Sequence, residues 1–262
     1  MTRQDARDRV VDAAVARLHQ RGVSVALDGI SLEEAITDSG VSRATAYRRW
    51  PNRTEFLREV LVRTVRAVRL EPETSEDLEA IRAVVRDQAD HLDTEAGRRT
   101  VVIESLRIAT QADHRRLATS RQWRDYLALR VTCEGLPDAE LRQSLTQELA
   151  AAESAFVRHR AEVYSRIPEV LGYRLTTPVP GDEGFVLMAE VMGALMTGLI
   201  LHQSTAAQPA TFTARAFGSQ VAAQWTTASY ALTAMFLTYL QPDPEAGQQF
   251  RIEELLGGEP GE

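Results

Sequence analysis

The sequence contains no lysine: all 30 of its basic residues are arginine. That uniformity reads as the codon preference of a GC-rich genome and assigns no chemistry by itself. Cysteine is almost as scarce. Cys133 stands alone, which excludes an intramolecular disulfide and fits a reducing compartment. With no second thiol beside it, Cys133 is expected to be a small buried residue. The first eight residues are charged and lack the apolar core of a signal peptide, so a cytoplasmic location is expected.

Catalytic signatures are missing too. No H-E-x-x-H, G-x-S-x-G, Walker loop or G-x-G-x-x-G occurs. The histidines at 19, 91, 114, 159 and 202 never fall at helical i, i+4 spacing. No metal, cofactor or enzymatic activity is expected. Formal charge is nearly absent from residues 191 to 242, where only Arg215 carries it. A membrane helix requires about 20 predominantly apolar residues. Glu190 interrupts the run from 185 to 201, and the run from 221 to 240 carries Gln224, Thr226, Thr227, Ser229, Thr233 and Thr238. Neither flank has the basic cluster that sets topology. Both runs therefore read as buried or interface helices, and no membrane association is expected.

What is present is unevenly spread. Over the whole chain of 262 residues the net charge is −7. The first 70 residues hold 13 arginines against 9 acids, a net of +4, and the rest is net −11. A basic front on an acidic rear suggests a polyanion-binding head on a body that repels polyanions.

The apolar pattern is helical throughout, with no sustained strand alternation. A first helix spans about residues 4 to 20, with Val11, Ala14, Val15 and Leu18 on one stripe. Ser31 followed by Glu34 is a capping box that opens a second helix, ended by the turn Ser39-Gly40-Val41. Ser42 caps a third helix that Pro51 stops after Trp50. Asn52 caps a fourth, with Leu57, Val60, Leu61, Thr64 and Val68 on one face. Further helices are expected near 75–94, 97–111, 113–134, 138–167, 183–203 and 215–240. Four regions follow: a helix-turn-helix domain at 1–53, a connecting helix at 54–70, a ligand-binding and dimerisation domain at 71–242, and an acidic flexible tail at 243–262.

Two short helices separated by a glycine turn have the geometry of a helix-turn-helix, in which the second helix enters the major groove. On the third helix Ala46 and Trp50 lie one turn apart and should face inward. Ala44, Thr45 and Arg48 then point outward, with Arg43 and Tyr47 along a flank. Arg43 and Arg48 can each donate two hydrogen bonds to a guanine edge, and Ala44 allows close approach and contact with a thymine methyl. Thr45 and Tyr47 carry hydroxyls suited to phosphate oxygens. Ser31 and Ser42 stand at helix N-termini, where free N–H groups favour phosphate. Arg49 and Arg53 flank the third helix and can clamp the DNA backbone.

The run Gly40-Val41-Ser42-Arg43-Ala44-Thr45-Ala46-Tyr47-Arg48-Arg49-Trp50-Pro51-Asn52-Arg53 closely resembles the signature of the TetR family of bacterial transcriptional regulators. The resemblance covers about residues 5–60 and is specific over 31–57. Two departures stand out: Trp50 occupies a position usually held by Phe, and Ala35-Ile36 stands where Ile-Ala is usual. The resemblance implies phosphate contacts at Tyr47 and Arg53 and base-facing roles for Arg43, Ala44 and Arg48. It also implies a homodimer on an inverted-repeat operator, wired through the fourth helix to a small-molecule pocket. The expected fold is therefore all-α: a helix-turn-helix module followed by a helical sensing and dimerising body. The expected function is a sequence-specific regulator, a repressor released by its effector or an activator of the same fold. A helical enzyme and a membrane-associated interaction protein are the readings from other classes.

The body is argued from composition. Gly193, Ala194, Gly198, Ala228, Ala231 and Ala234 permit close helix packing in the two nearly uncharged segments. Trp123, Tyr126, Phe156, Tyr164, Met188 and Met192 are the candidate pocket lining.

Overall fold

The computed structural model of the chain describes residues 3–21, 29–68, 74–205 and 211–244. Most of the expected loop at 23–30 and of the acidic tail lies outside these residues. The fold is mostly helical. The chain divides into two compact units, one of Met1–Leu70 with Ser120–Ala155, the other of Glu71–Thr119 with Phe156–Glu262.

The first unit begins with α1 (Arg3–Arg21), α2 (Leu32–Ser39), α3 (Arg43–Arg49) and α4 (Arg53–Ala67). Each short helix has a side-chain cap at its start. Ser31 accepts from the Glu34 N–H at 3.4 Å, Ser42 from Thr45 at 3.3 Å and Asn52 from Glu55 at 2.9 Å. Gly40 ends α2 at φ 65°, the left-handed conformation that closes a helix with least strain in glycine. Val41 is buried just beyond it.

The buried face of α1 is Ala6, Val10, Val11, Ala14 and Leu18. Val15, expected on that face, is half-buried, and Ala6 and Val10 extend the stripe towards the N-terminus. All five expected core positions of the fourth helix are buried, and Phe56 and Val65 join them. Arginines of α1 staple the other helices to it. Arg17 pairs with Glu34 at 2.9 Å and with Asp38, Arg9 donates to the Ser39 carbonyl, and Arg7 pairs with Glu59.

Two later helices complete this unit: α7 (Arg121–Thr132) and the first part of α8 (Ala139–Ser165). His19 on α1 pairs with Asp125 on α7. Arg58 and Arg66 of α4 reach Glu140 at 3.5 Å and Glu148 at 2.8 Å on α8. Cys133 is buried, with its Sγ 3.4 Å from the Thr146 hydroxyl.

The second unit contains α5 (Ser75–Asp87), α6 (Glu95–Thr119), the last part of α8, α9 (Ile167–Leu171), α10 (Asp182–Thr205) and α11 (Thr227–Tyr239). α6 packs on α5 and α11. Buried Asp77 pairs with Arg116, and half-buried Asp113 pairs with Arg160 at 3.1 Å. Burial alone would raise the Asp77 pKa, but the Thr74 hydrogen bonds and the two arginines bring it below its ordinary value. Glu104 is 3% exposed, accepts from Ser219 at 2.9 Å and pairs with Arg107 at 2.7 Å.

Several expected boundaries are corrected. The helices expected at 97–111 and 113–134 are instead α6, unbroken to Thr119, and α7, which starts where the Ser120 hydroxyl caps the Trp123 N–H. Only that hydroxyl marks the break, since neither glycine nor proline stands there. The helix expected at 75–94 ends at Asp87, followed by a 3₁₀ turn at Ala89–His91.

The largest correction is at 215–240, where no single helix forms. β2 (Thr211–Ala214) pairs antiparallel with β3 (Ala223–Thr226), and α11 begins only after them. Phe217 and Gly218 at φ 55° and 91° interrupt any helix. Thr226 and Ser229 then form a reciprocal capping box, with both N–H to hydroxyl distances at 3.0 Å. β3 alternates buried Ala223 and Trp225 with exposed Gln224. A second short ladder pairs β1 (Tyr173–Leu175) with β4 (Leu240–Pro242).

α10 is long and apolar enough to cross a membrane by length and composition, with mean hydropathy 1.9 over its most apolar 18 residues, of which one third are buried. The buried positions form a stripe at i, i+4 spacing, Gly184, Met188, Met192, Met196 and Ile200, with Ala189 beside it.

Candidate nucleic-acid interface

α3 is seven residues long and exposes one face of distinctive chemistry. Ala46 and the capping residue Trp50 point inward and are buried. Arg43, Ala44, Tyr47, Arg48 and Arg49 are exposed, and Thr45 is half-buried. Ser42 is exposed at the start of α3, Ser31 is half-buried at the start of α2, and Arg53 is exposed at the start of α4. All nine residues singled out on the sequence thus lie on α3 or at the starts of α2, α3 and α4 in one unit.

The anchoring explains this orientation. The Trp50 indole donates to Glu59 on α4 at 2.7 Å and meets Phe56 edge-on at 5.4 Å. Glu59 also pairs with Arg7 and lies 3.6 Å from Arg49. Moving Trp50 off Glu59 would leave a buried N–H unpaired, which favours holding the opposite face of α3 outward.

The exposed cations are not equivalent. Arg43 lies 2.9 Å from the Glu33 carboxylate of α2, and the Tyr47 hydroxyl donates to the same carboxylate. That hydrogen bond raises the Tyr47 pKa above its ordinary value. Arg48 makes neither an ion pair nor a hydrogen bond among the described residues. Thr45 shares its hydroxyl with Ser42 at 2.9 Å. Beside α3 lies a cleft of 430 Å³ lined by Arg7, Thr45, Arg48, Arg49 and Trp50. A second, of 410 Å³, is lined by Arg7, Glu59, Arg63 and Arg66. The region therefore presents arginines on both a helix face and its adjoining grooves.

Sequence reasoning missed Glu33, Glu59 and Arg7. Glu33 stands inside the Ser31–Glu34 capping sequence, and its 14-residue separation from Tyr47 gives no local signal. Glu59 lies one turn beyond Glu55 and carried no visible motif.

The six candidate pocket residues do not form one group. Trp123 and Tyr126 stack at 5.2 Å in the first unit. The Tyr126 hydroxyl donates to Glu153 at 2.7 Å, and burial first, then this bond, raises its pKa. Phe156, Tyr164, Met188 and Met192 belong to the second unit. Tyr164 packs edge-on against Phe236 at 5.0 Å, and both methionines are fully buried. None of the six lines either of the two clefts. No group of three or more metal-ligating side chains forms among the described residues.

Comparison of the chain with protein-family models, with curated proteins and with solved structures finds no match in any of the three.

Proposed function

We propose that this chain is a sequence-specific DNA-binding transcriptional regulator that uses α2 and α3 as a helix-turn-helix of the TetR type. One observation carries the reading: α3 buries Ala46 and Trp50 and turns Arg43, Ala44, Tyr47 and Arg48 outward, one turn beyond the left-handed Gly40. In this reading α3 enters the major groove, where Arg48 and Arg43 read guanine edges. Tyr47, Arg49 and Arg53 hold phosphates, which set register and contribute the salt-dependent part of affinity. Ala44 keeps the helix close to the bases.

The second unit is the sensing and dimerising body in this proposal. α10 leaves Ala194, Gly198 and Leu201 exposed, and α11 leaves Tyr230 and Thr238 exposed. Small residues on long apolar helices suit a helix–helix interface with a second copy. Two linked copies would set two α3 helices about 34–36 Å apart, one DNA turn, on an inverted repeat. A small molecule would release the operator by favouring a dimer with a different separation, with an expected affinity change of about 5- to 150-fold.

The experiment is selection from a randomised DNA pool, followed by salt titration on the winner. The expected winner is palindromic, bound by two copies, with affinity falling steeply as salt rises. No enrichment, or binding indifferent to salt, would sink the proposal.

A further inference from the structure

We infer that Glu33 is a selectivity residue of this interface: its carboxylate is an internal stand-in for phosphate that holds Tyr47 and Arg43 against non-specific DNA. The inference rests on the DNA-binding reading above and asks which of its contacts carry sequence information.

The geometry is specific. Glu33 lies in the first turn of α2, and the Gly40 turn carries α3 back across it. Two α3 side chains, one turn apart, converge on its carboxylate. Tyr47 donates its hydroxyl, and the Arg43 guanidinium lies 2.9 Å away. Tyr47 is 46% exposed, so this is a clasp at the surface and not a core bond. Neighbouring acids are otherwise engaged: Glu34 with Arg17, and Asp38 with Arg17 from the other side. Arg48, one residue beyond Tyr47, stands outside the clasp.

The consequence follows from what each donor needs. A phosphate offers Tyr47 and Arg43 an anionic oxygen and nothing that Glu33 does not already supply. A non-specific complex therefore exchanges one anion for another at these two residues and gains little from them. It also brings the Glu33 charge close to the DNA backbone. Arginine has five N–H donors in a planar fork. Arg43 can stay beside the Glu33 carboxylate as an ion pair while its N–H edge addresses guanine N7 and O6. Base readout thus survives the clasp, whereas sequence-independent phosphate contact is taxed by it. The ion pair also keeps the guanidinium beside α2 before DNA arrives, which reduces the ordering cost of the specific contact.

The test uses the full chain with Glu33→Gln and, as a milder variant, Glu33→Asp. Affinity is measured for the selected operator and for a scrambled duplex, each across a salt series. Glu33→Gln is expected to bind the scrambled duplex about fivefold more tightly, on the scale of one exposed charge contact. Operator affinity should rise by less, because there Tyr47 alone gains a phosphate while Arg43 stays on its base, so discrimination falls. The salt slope on scrambled DNA should steepen by about 0.9, one more phosphate engaged. Glu33→Asp keeps the charge and should stay near wild type. It also reports on the carboxylate should the glutamine variant fold poorly, since lost discrimination in Glu33→Asp with an intact fold contradicts the stand-in role.

An unchanged ratio between operator and scrambled DNA in Glu33→Gln overturns the inference and leaves the regulator reading intact. A changed preferred sequence overturns it as well, because Glu33 would then be reading a base. If wild-type protein selects no sequence at all, the regulator reading falls and the inference with it.

Discussion

The Trp50 indole N–H donates to the Glu59 carboxylate at 2.7 Å, from a side chain only 2% exposed. This bond joins α3 to α4 and fixes which face of α3 meets solvent. Trp50→Phe keeps the apolar ring against Phe56 but removes the donor and some volume. The expected loss is about 2 kcal/mol, within the range for a hydrogen bond to a charged group. Urea denaturation checks it, and a change below about 0.5 kcal/mol would mean Glu59 is satisfied by Arg7 and Arg49 alone.

Gly40 separates α2 from α3 at φ 65°. A Cβ there would meet only the end of the Arg9 side chain, at 3.4 Å, so space is not the constraint. The backbone is: an alanine pays about 1–2 kcal/mol for left-handed φ. Gly40→Ala should lower the thermal midpoint, and Gly40→Asn should lower it less, since Asn tolerates this conformation better. Equal effects of the two would show that the loss comes from contact with Arg9.

The exposed donors on α3 predict two phenotypes. Arg48→Ala should relax base preference at one position of each half-site and cost about 1–3 kcal/mol. Arg43→Ala should do the same at another position of each half-site, on the same scale. Tyr47→Phe should weaken binding alike on every sequence. Randomised-pool selection with each variant compares them, and a shifted sequence preference in Tyr47→Phe would reverse the assignment of the face.

His114 on α6 has its pKa pushed below the ordinary 6.5 by burial, and its Nε2 is buried without a partner among the described residues. The unfolded chain therefore binds a proton more readily than the folded one. Stability is full above about pH 6.5 and is lost as pH falls through that value towards the lower folded pKa. Chemical denaturation midpoints should decline over this window, and less so in His114→Gln. Parallel curves for the two proteins would place the titrating group elsewhere.

Much of the first unit was legible in the sequence because the forces that set it act within a few residues. Ser31, Ser42 and Asn52 cap the N–H three positions on. Ala46 and Trp50 share a face because four residues make about one helical turn. The same reasoning failed at 215–240, where apolar composition suggested one helix. The Thr226–Ser229 box that starts α11 is local and was there to be read. The strands before it owe their existence to pairing between Ala214 and Ala223 across the turn at Phe217 and Gly218.

The sequence by itself determined the predominance of helix, where the short helices of the first unit begin, and which side chains of α3 share a face. Only the tertiary structure decided that α7 and the start of α8 belong with the N-terminal helices, through pairs such as His19–Asp125 and Arg66–Glu148. It alone set Glu33 against Tyr47 and Arg43. It also separated Trp123 and Tyr126 from the other aromatic and methionine residues expected to share a pocket. Caps and helical faces depend on neighbours within one turn, which periodicity records. Partners 14 to more than 100 residues apart are chosen by how whole helices pack, and no local pattern carries that choice.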